Sequence, residues 1–262
     1  LWDIGTSECI HIYSGHTMSV NSIMFAPNME QFASGSSDGT VRIWGTEGEA
    51  SGCAILEGHT GEVLCVACST DGMHIASAGN GHDWKILLWG SHENSWELLR
   101  HFPCLTSPVN ALIFSDTRHI YSGSFDGELC VRDIHAIDCD DSTQWMHQDE
   151  VNSVAISHNR TMCASASADA VIIWTLGNKI PAIHFINRID SEKADINCVV
   201  FSPDDALFCT GSSDGQVQMF NTVTGDQVGE PFQFEEAVIR VAFSTVTSLL
   251  AIALYGTRFT VN

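Results

Sequence analysis

Short runs of apolar and β-branched residues return along this chain at a steady interval, separated by turn strings rich in Gly, Ser, Asn and Asp, and the pattern is neither helical nor Leu-rich. The apolar residue that opens each run is Val20, Val63, Val109, Val151, Ile196 or Val238, and successive openers lie 42 to 46 residues apart. Each leads a strand such as Val20–Phe25, Val109–Phe114, Val151–Ile156 or Ile196–Phe201. Near-continuous apolarity over six residues bounded by turns reads as a strand buried on both faces. A small-polar strand and a turn follow, clearest in Ser34-Gly35-Ser36-Ser37-Asp38-Gly39, Ser122-Gly123-Ser124-Phe125-Asp126-Gly127 and Thr210-Gly211-Ser212-Ser213-Asp214-Gly215. Third strands then end at Trp44, Trp89, Arg132, Trp174, Phe220 and Thr260. Weaker outer strands come last, for example Cys53–Leu56, Trp96–Leu99 and 182–185.

A period of this length is too long for ankyrin or leucine-rich repeats and suits a blade of four antiparallel strands. The expected fold is therefore an all-β, six-bladed β-propeller forming a single domain over residues 1–262. Leu1-Trp2-Asp3 stands at the front as the tail of a preceding copy. An outer strand near Cys9 to Tyr13, five sets of four and a final three give twenty-four strands. An open sheet edge leaves unpaired backbone groups, so closure is expected by pairing residues near Glu8 to Ser14 with residues near Gly256 to Asn262.

The Gly15-His16 and Gly58-His59 pairs, the turn aspartates Asp38, Asp83, Asp126, Asp169 and Asp214, and the strand-ending tryptophans resemble the WD40-repeat family over essentially the whole chain. The resemblance implies a hydrogen-bonded tetrad inside a blade, carried here by His16, Ser34, Asp38 and Trp44, by His59, Ser77, Asp83 and Trp89, and by His147, Ser165, Asp169 and Trp174. Three repeats depart from it. The third has Leu105 and Arg132 in the His and Trp places, the fifth has Glu192 and Phe220, and the sixth has Phe234 and no aspartate before Gly256. These blades are expected to rely on apolar packing, since a partial buried polar network is costly. The last blade is the expected soft spot. Thr224-Gly225-Asp226-Gln227-Val228-Gly229-Glu230-Pro231-Phe232 also resembles the repeat arrays of fungal NACHT-type signalling proteins, which implies a sensor module. No Gly-x-x-x-x-Gly-Lys-Ser/Thr string occurs.

Thirty-two acidic residues against eleven basic ones give a net charge of −21. That charge repels phosphate backbones and acidic membranes over a Debye length of about 10 Å, so neither nucleic acid nor membrane is an expected partner. The complement of such a surface is a basic peptide; the plainer alternative is that acidity serves solubility alone. No apolar stretch approaches the length of a membrane-spanning helix and no leader is visible.

Of ten cysteines, Cys65, Cys68, Cys130, Cys163, Cys198 and Cys209 fall inside predicted strands, where thiols act as small apolar core residues. A reducing, cytoplasmic setting follows as an expectation. Cys65 and Cys68 lie three apart on a strand and point to opposite faces, so no shared zinc is expected there. The acidic run Asp138-Cys139-Asp140-Asp141 lacks the spacing of a calcium loop and reads as solvated. No metal and no cofactor is expected. Ser, His and Asp recur blade after blade, whereas a catalytic triad is needed once, and no Gly-x-Ser-x-Gly elbow occurs, so no catalytic residues are assigned. Asn159-Arg160-Thr161 matches a glycosylation sequon of a kind common by chance.

The remaining chemistry lies around the channel entrance, where WD40-repeat proteins commonly make ligand contacts. The residues after the openers include Asn21, Asn110, Asn152 and Asn197; those before them include Glu62, Glu150 and Asp195; Phe125 precedes a turn aspartate. Carboxylates, amides and one exposed aromatic suit a Lys- or Arg-bearing peptide. Each Asn could instead cap its own strand locally. The expected function is a non-catalytic protein-interaction scaffold or sensor. The alternative is a carbohydrate-binding, lectin-like propeller, for which Phe125 and Trp84 are the available aromatics.

Overall fold

The structure is a computed structural model that describes the chain except residues 4, 7, 48–51, 81–83, 94, 103–106, 137–142, 169, 177–182, 189–193, 245–248, 257–259 and 262. The described residues contain strands, turns and coil, and no helix. Two compact units are present: Leu1–Ile120 with Val131–Ser142, and Tyr121–Cys130 with Thr143–Asn262.

The first unit opens with a small hairpin of β1 (Trp2–Asp3) and β2 (Glu8–Cys9), and then builds two four-stranded antiparallel sheets in chain order. One is β3 (Val20–Phe25), β4 (Gln31–Ser36), β5 (Thr40–Gly45) and β6 (Cys53–Glu57). The other is β7 (Val63–Cys68), β8 (His74–Gly79), β9 (Ile86–His92) and β10 (Ser95–Phe102). The division between the units falls within the strands β11 (Val109–Phe114), β12 (His119–Ser124), β13 (Glu128–Asp133) and β14 (Thr143–Met146). The second unit has β15 (Val151–Ile156), β16 (Met162–Ser167), β17 (Ala170–Thr175) and β18 (Ile183–Arg188), followed by β19 (Ile196–Phe201), β20 (Leu207–Ser212), β21 (Gln216–Asn221) and β22 (Phe232–Gln233). It ends in a three-stranded sheet of β23 (Val238–Phe243), β24 (Leu250–Leu254) and β25 (Thr260–Val261).

One turn recurs between second and third strands. The Gly39, Gly127 and Gly215 amides donate to Ser36, Ser124 and Ser212, and the three glycines have φ of 81°, 87° and 84°, the left-handed conformation that glycine adopts without a Cβ penalty. This is why an Asp-Gly pair recurs with the period of the repeat.

Successive sheets interlock through their inner strands, which lie side by side as β3, β7 and β11 in the first unit and as β15, β19 and β23 in the second. The openers Val63, Val109, Val151, Ile196 and Val238 are all fully buried. A small residue on the neighbouring second strand makes room for them: a Cβ built on Gly35 would lie 2.6 Å from Val63 Cγ1, and one on Gly211 would lie 2.4 Å from Val238 Cγ1. Each buried opener contributes about 1.5–3 kcal/mol by leaving water. Val20 is the exception, at 47% exposed.

The strands fall where the apolar runs place them. The N-terminal hairpin differs from expectation: Trp2 and Asp3 pair with Cys9 and Glu8, so among the described residues the partner of β2 is β1 rather than a strand near Gly256 to Asn262. Of that last stretch, residues 257–259 and 262 lie outside the described residues.

Candidate functional site

The turn aspartate of the first sheet closes a directed hydrogen-bond chain. Asp38 Oδ2 lies 2.9 Å from His16 Nδ1, and His16 Nε2 lies 2.7 Å from Ser34 Oγ. The carboxylate can only accept, so in the neutral imidazole Nδ1 carries the hydrogen and Nε2 accepts from the Ser34 hydroxyl. Trp44 Nε1–H donates to the same Ser34 oxygen at 2.7 Å. Burial works to raise the Asp38 pKa, but hydrogen bonds from the Thr40 hydroxyl, the Thr17 amide and His16 outweigh it and hold the carboxyl well below the usual range.

Two further sheets repeat the chain. His59 Nε2 and Trp89 Nε1 both lie 2.8 Å from Ser77 Oγ. His147 Nε2 and Trp174 Nε1 lie 2.7 and 2.9 Å from Ser165 Oγ. Asp83 and Asp169, their fourth members, lie outside the described residues, as do Leu105, Glu192 and the acidic run from Asp138 to Asp141. Although Asp, His and Ser are lined up as in a hydrolase, the Trp N–H occupies the serine oxygen and Ser34, Ser77 and Ser165 are 2%, 0% and 0% exposed. A nucleophile so placed has no route to a substrate.

The asparagines have a different task. In every described pairing of an inner strand with its second strand the register slips just after the opener, between Val20 and Ser22, Val63 and Cys65, Val151 and Ser153, Ile196 and Cys198, and Val238 and Arg240. The skipped residue is a β-bulge, which re-aims its side chain. Asn21, Asn152 and Asn197 sit at that position, and their Nδ2 groups donate to the carbonyls of Val63, Ile196 and Val238 at 2.9, 3.3 and 2.8 Å. Each thus bonds to the opener of the next sheet, and Asn21 Nδ2 also donates to Ser37 Oγ of its own sheet at 3.0 Å. Ser22 and Ser153 add a second link, accepting from the Val66 and Val199 amides at 3.2 Å each. These serines were missed by pattern reading; the Val-Asn-Ser string shared by both strands was their available signal.

The remaining partner-contact candidates divide between the units. Glu62 is exposed and Asn110 half-buried in the first. In the second, Glu150 is half-buried and Asp195 exposed. Burial, then Asp149, then Asp195 raise the Glu150 pKa, so three carboxylates share one electrostatic neighbourhood. The turn bearing Phe125 approaches the same loop: a Cβ built on Gly127 would lie 2.9 Å from the Asp149 carbonyl oxygen. Phe125 itself is 53% exposed. Asp149 was missed by pattern reading because it stands one residue outside the aligned columns.

Comparison with known proteins decides the family. The profile described as WD domain, G-beta repeat matches residues 7–45, 52–90, 142–174 and 184–221, together more than half the chain. The chain belongs to the WD40 family. The third and sixth repeats, where the sequence departs from the tetrad, fall outside the matched ranges; the fifth falls inside. Similar WD40 relatives include WD repeat-containing protein 1 of Rattus norvegicus, 27% identical over 87% of this chain and 30% of that protein. Pre-mRNA-processing factor 19 of Oryza sativa subsp. japonica is 24% identical over 83% of this chain and 41% of its own length. THO complex subunit 3 of Arabidopsis thaliana is 24% identical over 80% and 65%. The chain therefore spans less than two thirds of the length of these relatives.

In this WD40 chain Cys65, Cys130, Cys163, Cys198 and Cys209 are buried, Cys68 is half-buried, and Cys9 and Cys53 are exposed. Burial pushes the Cys198 thiol up to about 11 and the Cys209 thiol up to about 12, and drives Cys163 higher still. Cys65 packs with Ala67 and Ala76, whereas Cys68 packs against the cluster of Val66 and Ile75, on the other side of the strand. The described residues hold no group of three His, Cys, Asp or Glu side chains arranged for a metal ion. Exposed Asn159 accepts at Oδ1 from the Thr161 amide and hydroxyl, at 2.9 and 2.7 Å.

Proposed function

We propose that this WD40 chain is a non-catalytic protein-interaction module whose second unit takes a basic peptide or protein segment on the surface carrying Phe125, Asp149, Glu150 and Asp195. The observation that carries the reading is the gathering of Glu150, Asp149 and Asp195 beside the turn of exposed Phe125, where burial and the two neighbouring carboxylates raise the Glu150 pKa. A Lys or Arg side chain arriving there would be welcomed by all three, with Phe125 as an apolar anchor beside it. The net charge of −21 favours the same class of partner over nucleic acid or an acidic membrane. WD40 relatives are generally interaction scaffolds, and THO complex subunit 3 is by its name part of an assembly. Glu62 occupies the position of Glu150 and Asp195 in the second repeat, within the first unit, and is proposed as a separate cation contact there. Asn21, Asn152 and Asn197 are assigned to holding sheets together first and to partner contact second. Placement in the reducing cytoplasm is supported by the unbridged Cys163, Cys198 and Cys209 thiols. A sensor role like that of fungal NACHT-type arrays is a narrower form of the same proposal.

The test is a binding assay with Lys/Arg-bearing peptides and their Glu/Asp counterparts. Exchanging Glu62, Glu150 and Asp195 together for Gln, Gln and Asn abolishes binding of the basic set. Unchanged binding in that variant refutes the reading, and selective retention on a glycan array in place of peptide binding transfers the chain to the lectin-like class.

A further inference from the structure

Among the described residues, four turns that join an inner strand to its second strand share one shape. In each, the fourth residue donates its amide to the carbonyl of the first, as Met29 does to Ala26, Gly72 to Ser69, Arg160 to Ser157 and Asp205 to Ser202. The donor stands in the left-handed region, at φ of 60°, 72°, 57° and 59°. Two of these donors meet the turn of the preceding sheet in their own unit, and the two meetings differ in chemistry. A Cβ built on Gly72 would lie 3.6 Å from Pro27 Cδ. Gly72 has no side chain to accept a bond and Pro27 no N–H to give one, so those two residues meet by packing.

Asp205 takes the place of Gly72, and His158 the place of Pro27. The Asp205 carboxylate accepts from the His158 amide at Oδ1, at 2.7 Å, and from the Asn159 amide at Oδ2, at 2.8 Å. Its side chain is 7% exposed, and the half-exposed His158 imidazole brings Nδ1 to 3.4 Å from Oδ1. A buried carboxylate is costly unless its oxygens find donors, and both donors here come from the backbone of another sheet. Glycine would adopt the turn without a Cβ penalty, so the shape of the turn does not account for an Asp at this position.

We infer that Asp205 is a clamp that makes the fourth and fifth sheets open together rather than singly. Near their first residues β15 and β19 are tied by Asn152 to the Ile196 carbonyl and by the Val199 amide to Ser153. The clamp ties the same two strands beyond their last residues, through turns 157–161 and 202–206, so that neither strand can swing away about its other end. The first and second sheets carry the same leading ties, from Asn21 to the Val63 carbonyl and from the Val66 amide to Ser22, with the Pro27–Gly72 contact at the trailing end. The inference concerns the ends of β15 and β19 away from Glu150 and Asp195, and it does not rest on the basic-peptide reading.

The experiment follows native-state hydrogen exchange at the Val199 amide and along β15 and β19 in the full chain, for Asp205→Gly, Asp205→Asn, His158→Pro and the double variant His158→Pro/Asp205→Gly. Exchange of β3 to β5 in the first unit verifies that every variant is folded. Asp205→Gly relieves the left-handed residue and removes the clamp. Exchange at Val199 is expected to rise at least about tenfold, because the bonds lost to a charged acceptor outweigh the relief. Asp205→Asn keeps the turn and one acceptor and gives a smaller rise, and it supplies the same reading if a larger change prevents folding. His158→Pro alone deprives one carboxylate oxygen of its donor and accelerates exchange. Added to Asp205→Gly it changes the rate by less than about twofold, since it then removes a donor with no acceptor. The inference is overturned if Asp205→Gly or Asp205→Asn leaves exchange at Val199 unchanged or slows it in folded protein, which would make Asp205 a strained turn residue only. It is also overturned if the effects of His158→Pro and Asp205→Gly simply add.

Discussion

The first and fifth sheets occupy the same pattern of strands and answer it with different chemistry. In the first, Trp44 stacks on Phe32 at 6.2 Å with 19° between the rings and also joins the chain through Ser34 and His16 to Asp38. In the fifth, Phe220 stacks on Phe208 at 5.1 Å and the same 19°, and the serine place holds buried Thr210. The aromatic stack is what the two share. The polar chain is an addition that locks a strand-ending Trp in one orientation, and a Phe in its place needs no partner for a ring N–H. This explains how the fifth repeat departs from the tetrad without losing the sheet.

Removing the shared element has the largest effect. Phe220→Ala leaves a cavity at a residue 3% exposed and is expected to cost about 3–5 kcal/mol in chemical denaturation. A cost below that of losing one hydrogen bond would break the comparison. Next comes Ser34→Ala, which strands both His16 Nε2 and the Trp44 N–H in a buried site and is expected to cost about 2–3 kcal/mol. Trp44→Phe converts the first sheet into the chemistry of the fifth. It keeps the stack and loses one bond, for about 1 kcal/mol in the same assay. Asn197→Ala removes the bond to the Val238 carbonyl and is expected to loosen β23 by about 1 kcal/mol, read as faster hydrogen exchange there than in β15.

Acid gives the finest distinction. Asp38 has a folded pKa below its ordinary value of 3.8, so the stability it contributes is complete above that value and is lost as pH falls below it toward the depressed one. Exchange of the Thr17 and Thr40 amides, which donate to Asp38, should accelerate in that window. The uncharged Phe208–Phe220 stack should keep the adjoining β20 and β21 amides protected.

Most of the fold was legible because the openers, the Asp-Gly turns and the Trp ends each carry a local physical signal at one period. Val20 and Val63 read identically in sequence, yet one is exposed and the other buried, because burial of an opener depends on the neighbouring sheet. The bulge was likewise invisible: strand alternation assumes one residue per position, so Asn21, Asn152 and Asn197 read as residues facing a ligand. They also reach sideways, to the opener carbonyls of the next sheet. Glu150, Asp195 and Phe125 were legible as candidates because they flank openers and turns, where the backbone leaves the sheet and side chains meet solvent.

The central claim, recognition of a cationic segment on the second unit, is most directly tested by titrating a Lys/Arg-rich peptide into the isotopically labelled chain and following its NMR resonances. The account predicts shifts clustered at Phe125, Asp149, Glu150 and Asp195, weakening with salt and with acidification as Glu150 takes up a proton earlier than an ordinary glutamate. Shifts confined to the residues around Val20 and Ile23, or none at all while an uncharged ligand binds, would contradict it.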